Sequence, residues 1–276
     1  YRKSEKCVES FISSIVWNCH VYFWKSDDSV DIWHSMFRAI LWAFSFLPRC
    51  AVLEDDCAPA VSWFRFADVL LDKYENDCSV SYVYSELNCG IATKYCDSLD
   101  YCFSLTGSVH GWATWKRVVD KWDVNYSWVD DVEKREKIVS FFGNRLGGKV
   151  IEKARFFRDK SLPEWEIFMC SYQAIHDCVN IIPTRNMLQN NGIRGTNAGD
   201  GEVLSTKIKK YYYKKINEVT FPLRGPSTIE VDKRLDRKII SVTSISIIDR
   251  IEVFFLYLFR GQLFQKIRKK ASKKHR

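Results

Sequence analysis

The sequence predicts an α/β fold with a mostly parallel central sheet covered by helices. Two observations predict it. From the N-terminus to residue 84, segments with apolar residues at helical spacing alternate with short β-rich runs, the pattern of strands joined by helical crossovers. The chain also has 276 residues, 46% of them hydrophobic, with 10 Trp, 13 Tyr and 18 Phe, enough apolar area for a sizeable core.

The elements follow in order. Val8, Phe11, Ile12 and Ile15 recur at three and four residues and predict a helix over 4–16. The run Cys-His-Val-Tyr-Phe-Trp at 19–24 predicts a strand. A second helix spans 31–46, with Trp33, Phe37, Ile40, Leu41 and Phe44 on one face. Ala51-Val52-Leu53 is a short apolar strand, and three acids follow it directly. After Pro59 an amphipathic helix runs to about Glu75, with Phe64, Ala67, Leu70, Leu71 and Tyr74 inward. A β-rich run at 79–84 predicts the next strand, and Val-Asn-Ile-Ile-Pro at 179–183 the last one. Between them, 111–153 mixes aromatic and charged residues and reads as partly helical. The Asn- and Gly-rich stretch 189–202 predicts a loop, and 207–215, with Tyr211, Tyr212 and Tyr213, a solvated helix face.

The net charge of +8 is uneven. Residues 249–276 hold nine Lys and Arg against two acids, so seven of those charges belong to the tail. The remaining body is nearly neutral, which argues against nucleic acid as a partner. The ten cysteines are scattered without a C-x-x-C pair, and several lie in apolar runs. They read as reduced thiols of a cytoplasmic protein rather than a disulfide framework.

In open α/β sheets, ligands bind beyond the carboxyl ends of strands, and Glu54-Asp55-Asp56 occupies such a position. Adjacent carboxylates suit a hard cation such as Mn²⁺ or Mg²⁺, which takes one or two protein oxygens and neutralises a diphosphate. The same acids also suit the plain role of capping the helix that follows.

A wider resemblance joins this cluster to blocks downstream. Cys50-Ala-Val-Leu-Glu-Asp-Asp-Cys-Ala-Pro-Ala-Val-Ser-Trp-Phe-Arg-Phe66 resembles the metal-site strand and following helix of GT-A glycosyltransferases. The group it resembles is the bacterial surface-polysaccharide type related to N-acetylglucosaminyltransferase I. His110-Gly-Trp-Ala-Thr-Trp-Lys-Arg117 looks like that group's aromatic segment, with His110 where Trp is usual. Pro183–Gly192 and Phe221-Pro-Leu-Arg-Gly-Pro226 continue the likeness in the family's order, the latter with Gly225 in place of His.

The resemblance implies a GT-A (Rossmann-like) nucleotide-diphospho-sugar transferase fold over residues 1–240, with the family's first strand lying before Tyr1. It implies metal-dependent, inverting transfer from a nucleotide-sugar donor to a glycan or lipid-linked acceptor in polysaccharide biosynthesis. In residue terms it implies Asp56 as the direct metal ligand, with Glu54 and Asp55 facing the nucleotide or a metal-bound water. Trp112 and Trp115 would line the donor. Glu166 of Glu164-Trp165-Glu166 would be the general base, with Glu164 second. Asp200, in the Asn/Gly loop where relatives carry His, would be a further oxygen ligand. The departures at His110, Asp200 and Gly225 also suit a different class, a catalytically inactive glycan or nucleotide-sugar binding homologue.

The segment 241–276 reads as a tail of its own. Ile248, Ile251, Phe255, Phe259, Leu263 and Ile267 form a near-helical stripe beside the basic cluster 266–276. An amphipathic helix of this kind suits the anionic inner face of a membrane, where each basic residue contributes roughly 1 kcal/mol. A last helix docked on the core is the other reading.

Overall fold

A computed structural model describes residues 2–25, 31–86, 92–96, 98–191 and 215–243. Helix α1 (Arg2–Ser13) and helix α2 (Ile32–Phe44) lead into strand β1 (Arg49–Leu53). A turn then gives β2 (Cys57–Pro59), α3 (Val61–Lys73) and β3 (Val80–Tyr84). The short α4 (Ala92–Tyr95), β4 (Tyr101–Ser104), β5 (Gly111–Trp115) and α5 (Lys116–Val119) follow. A helical layer comprises α6 (Val132–Phe142), α7 (Asn144–Asp159) and α8 (Trp165–Ile175). Strands β6 (Val179–Pro183) and β7 (Leu188–Asn190) and helix α9 (Lys233–Thr243) complete the described chain.

The five-stranded sheet has the order β1-β5-β3-β6-β4. The fold is α/β as expected, but the sheet is not mostly parallel. Only β3 and β6 pair in parallel, while β5 runs antiparallel to both β1 and β3, and β4 antiparallel to β6. Strands β1, β3 and β6 do share one direction. The antiparallel β5, inserted between β1 and β3, turns the expected parallel neighbours into two antiparallel pairs. β2 and β7 form a separate two-stranded ribbon.

The core lies between this sheet and helices α3, α8 and α9. In α3 the inward stripe is Trp63, Phe66, Ala67, Leu70, Leu71 and Tyr74, at helical spacing. Phe64, expected inward, is 53% exposed, because the stripe is set one residue earlier by Trp63. Phe168 of α8 is fully buried and meets the rings of Phe37, Trp122 and Tyr126. Ile40 and Phe44 of α2 are buried, while Leu41 of the expected face is exposed.

Four local readings change. Residues 19–24 pair with no strand; Tyr22 rests on Phe46 with ring centroids 5.1 Å apart. Helix α1 forms, but Val8 and Phe11 remain exposed rather than packed. Residues 111–115, read as part of a mixed helical stretch, form strand β5 with every residue buried. The loop expected from 189 begins two residues later, because Leu188–Asn190 pair with Cys57–Pro59. Asp200, the 207–215 run through residue 214 and the tail from 244 lie outside the described residues. Helix α9 itself runs through the expected boundary at 240. No helix of the described residues is long and apolar enough to cross a membrane.

Candidate functional site

The site is built at one end of three neighbouring strands. Because β1 and β3 both run antiparallel to β5, the residues that follow β1 and β3 and the residue that precedes β5 meet there. These are Glu54-Asp55-Asp56, Glu86 and His110. Glu54 and Cys57 close a turn through a Cys57 N–H to Glu54 carbonyl bond of 3.1 Å, which carries Asp55 and Asp56 at its tip. The backbone of Asn191 donates to the Asp56 carbonyl at 2.8 Å, so β7 holds the turn from the far side.

Asp55 is exposed, while Glu54 and Asp56 are half-buried. Burial pushes the Glu54 carboxyl above its usual range, His110 opposes that shift, and the charges of Asp56, Glu166 and Asp55 add to it. The ligand atoms of Glu54, Asp56 and Cys57 lie within 4.8 Å of one another. Cys57 is the weakest of the three as a donor. Burial and then the Asp56 charge push its thiol up, and its Sγ donates to the His110 carbonyl at 2.6 Å. A protonated thiol is a poor ligand for a hard cation, so the carboxylate pair Glu54 and Asp56 is the part that fits Mn²⁺ or Mg²⁺.

His110 is held by a partner that the sequence reading did not single out. Glu86, nearly buried, accepts from Ser108 Oγ at 2.6 Å and lies 3.1 Å from His110 Nδ1. Burial works against protonating His110. The Glu86 hydrogen bond and charge, with Glu54 and Asp56 beyond, outweigh it and raise the imidazole pKa. The ring is therefore positioned toward the acids by a buried carboxylate. The signal in the sequence was faint: one acid two residues after an apolar strand.

The two Glu of the α8 N-terminus separate in role. Glu164 is only 8% exposed and precedes the first turn as its N-cap residue, with its backbone N–H bonded to Tyr126 Oη at 2.8 Å. Burial, and then the Glu166 charge, push its carboxyl up to about 7, against a hydrogen bond from Trp33 and the charge of Lys153. It is an anchoring group, locked under α8. Glu166 is half-buried in the first turn, where the helix dipole favours a negative charge. It lines a cleft of about 1190 Å³ between α6, α7, α8 and α9, and its charge also acts on Glu54.

Trp112 and Trp115 sit in the core, with 0% and 2% exposure, so neither ring offers a face to a donor. Trp112 packs on Tyr82 and Trp122, and Trp115 Nε1 donates to the Leu71 carbonyl at 2.9 Å. The reason is strand alternation inside a sheet covered on both faces: both sides of β5 are buried. Arg117 completes the segment by stacking on Trp115 and donating to the carbonyls of Tyr74, Glu75, Asp77 and Val80, beyond the C-terminal end of α3. This aromatic block is scaffold.

Blocks far apart in the chain pack on one another. β1 pairs with β5, joining the first block to the second, and β2 pairs with β7, joining it to the third. Arg65 stacks on Phe221 at 4.4 Å, joining it to the fourth. At Gly225 a Cβ would overlap the Tyr101 hydroxyl, which Lys73 Nζ and Tyr74 Oη bind at 2.8 and 2.9 Å. A tyrosine from β4 thus occupies the space that a larger residue at 225 would need. The chain matches no protein-family model and no curated protein.

Proposed function

We propose that this chain is a metal-dependent glycosyltransferase that moves a sugar from a nucleotide-diphospho-sugar to a glycan or lipid-linked acceptor, with inversion. The observation that carries the reading is the position of Glu166. Glu166 lines the large cleft, and its negative charge is near enough to the acidic turn to help raise the Glu54 carboxyl. An inverting transfer needs one carboxylate between the donor's diphosphate site and the acceptor's hydroxyl. The contiguity of the blocks that resemble the family supports the same reading.

In this reading Glu166 accepts the proton of the acceptor hydroxyl as its oxygen attacks the anomeric carbon. The bond from that carbon to the diphosphate oxygen breaks, and the electron pair leaves with the diphosphate. Glu54 and Asp56 would hold the divalent cation, which when bound neutralises the departing diphosphate. Asp55, exposed at the tip of the turn, is placed to meet the nucleotide or a water on the cation. His110, held by Glu86, stands beside the acids. Glu164 keeps α8 in place under Glu166 and is not the base.

The test is a panel of nucleotide-sugars with and without Mn²⁺, read by thermal shift and by release of nucleoside diphosphate. Ligands that bind only the folded state raise its melting temperature. Asp56→Ala should remove the Mn²⁺-dependent stabilisation with folding intact. Glu166→Gln should keep it and lower turnover by roughly 10²–10⁴-fold, the usual contribution of a general base. Full turnover in Glu166→Gln refutes its role. Donor binding without turnover in the native chain favours the inactive binding homologue.

A further inference from the structure

The cleft that Glu166 borders carries a chemistry that the acidic turn does not explain. Its floor is apolar, lined by the half-buried Phe141 and Phe142 of α6 and Val150 of α7 and by the buried Ile239 of α9. Around that floor stand Lys149 and Lys153 on α7 and Lys233 and Arg237 on α9. Each pair is spaced i, i+4 and so shares one helix face, an arrangement of like charges that costs helix stability. No carboxylate among the described residues lies within ion-pair distance of any of the four; the Lys153 charge acts on the buried Glu164 from beyond that distance, and Arg237 Nε donates to the Lys233 carbonyl at 3.1 Å. The acids of the lining do not neutralise them. Asp177 is paired with Lys137 at 2.8 Å. Asp236 is buried and takes hydrogen bonds from Ser104 Oγ at 2.5 Å and the Leu105 backbone at 2.8 Å. Glu166, also in the lining, forms no ion pair with them.

From these observations we infer that the cleft takes an amphiphile, with its hydrocarbon on the α6–α7–α9 floor and a phosphate head between the two cation pairs. The inference rests on the proposed transferase and names its acceptor class: a sugar or alcohol carried on a lipid phosphate, whose reacting hydroxyl reaches Glu166. Two further features point the same way. The cleft, at about 1190 Å³, exceeds the roughly 300–1,000 Å³ of a site for one drug-sized ligand. The chain's own C-terminal segment is a poor occupant, because residues 249–276 carry nine basic residues and only two acids, the same sign as the rim. An anion with an apolar tail complements both the charge and the floor.

The probe is dodecyl phosphate below its micelle concentration, titrated calorimetrically into the full chain. One saturable site per chain is expected, with inorganic phosphate and dodecyltrimethylammonium each binding at least tenfold more weakly. Lys149→Glu with Lys153→Glu should weaken dodecyl phosphate at least tenfold; the neutral pair Lys149→Ala with Lys153→Ala tests the point should the reversed pair fail to fold. Arg145→Glu, on the same helix but outside the cleft, is the matched control and should bind as the native chain does. Equal binding of the cationic amphiphile, or unchanged binding in the neutral pair, overturns the site. Donor titration separates the two readings. A chain that binds Mn²⁺ and donor yet shows no preference for the anionic amphiphile loses only the acceptor assignment. A chain that binds dodecyl phosphate but no donor loses the transferase reading and keeps the site.

Discussion

Replacing Glu164 by Gln gives a prediction whose sign and size both follow from the geometry. The carboxyl is buried beneath the start of α8, beside Glu166, and its pKa is pushed up to about 7 from 4.5. Between those two values the folded chain keeps a proton that the unfolded chain has released. Stability therefore falls as pH rises through this window, and the full cost is present above about pH 7. The displacement corresponds to roughly 3 kcal/mol, at about 1.4 kcal/mol for each tenfold in proton affinity. Partial solvation of the site reduces this to about 2 kcal/mol. Gln retains an oxygen to accept the Trp33 hydrogen bond and has nothing to ionise. Urea unfolding of both proteins at pH 5, 6, 7 and 8 is the assay. The variant should match the native chain at pH 5 and exceed it by about 2 kcal/mol at pH 8. Other raised groups, Glu54, His110 and Asp236, titrate in both proteins and cancel in the difference. A variant that loses stability with pH as steeply as the native chain refutes the assignment of the buried proton to Glu164.

Two further perturbations test the scaffold around the site. Gly225→Ala should cost roughly 1–3 kcal/mol, the usual penalty of overpacking, because the new methyl meets the Tyr101 hydroxyl; an unchanged denaturation midpoint contradicts that contact. Arg117→Lys should cost about 1.5–3 kcal/mol, since a single ammonium cannot replace a planar guanidinium that binds several carbonyls and stacks on Trp115. A melting temperature within 1 °C of the native value would remove the clamp role.

The parts of the fold that could be read from the chain are those whose pattern is local. Ala51–Leu53, 79–84 and 179–183 are short runs rich in β-branched, aromatic or apolar residues, and each lies in or contains a strand. The helix after Pro59 shows a full stripe of apolar residues. Strand direction was not readable, because it depends on β5, whose five residues are buried on both faces and so have no alternation. The same burial hid the true role of Trp112 and Trp115: an aromatic run looks alike whether it lines a ligand or fills a core. Within the site, Glu54–Asp56 announced itself as a cluster. Glu86 did not, since one acid after Ser85 has no pattern, and only the pairing of β3 with β5 brings it to His110. The cationic cleft is lined by both α7 and α9, far apart in the chain, and no window of sequence contains both.

The turn that carries Asp55 and Asp56 is fastened on both sides, by its own Glu54–Cys57 bond and by the backbone of Asn191. That fastening has a calorimetric consequence. Fixing one residue's backbone costs about 1–2 kcal/mol of entropy, and here folding has already met that cost before any cation arrives. If the turn holds the proposed cation, its binding should be driven by the entropy of released water, with little change in heat capacity and no gain in circular dichroism. Cutting the Asn191 tether, for example by Asn191→Pro, would move the cost to the binding step and weaken the cation while leaving both carboxylates in the chain.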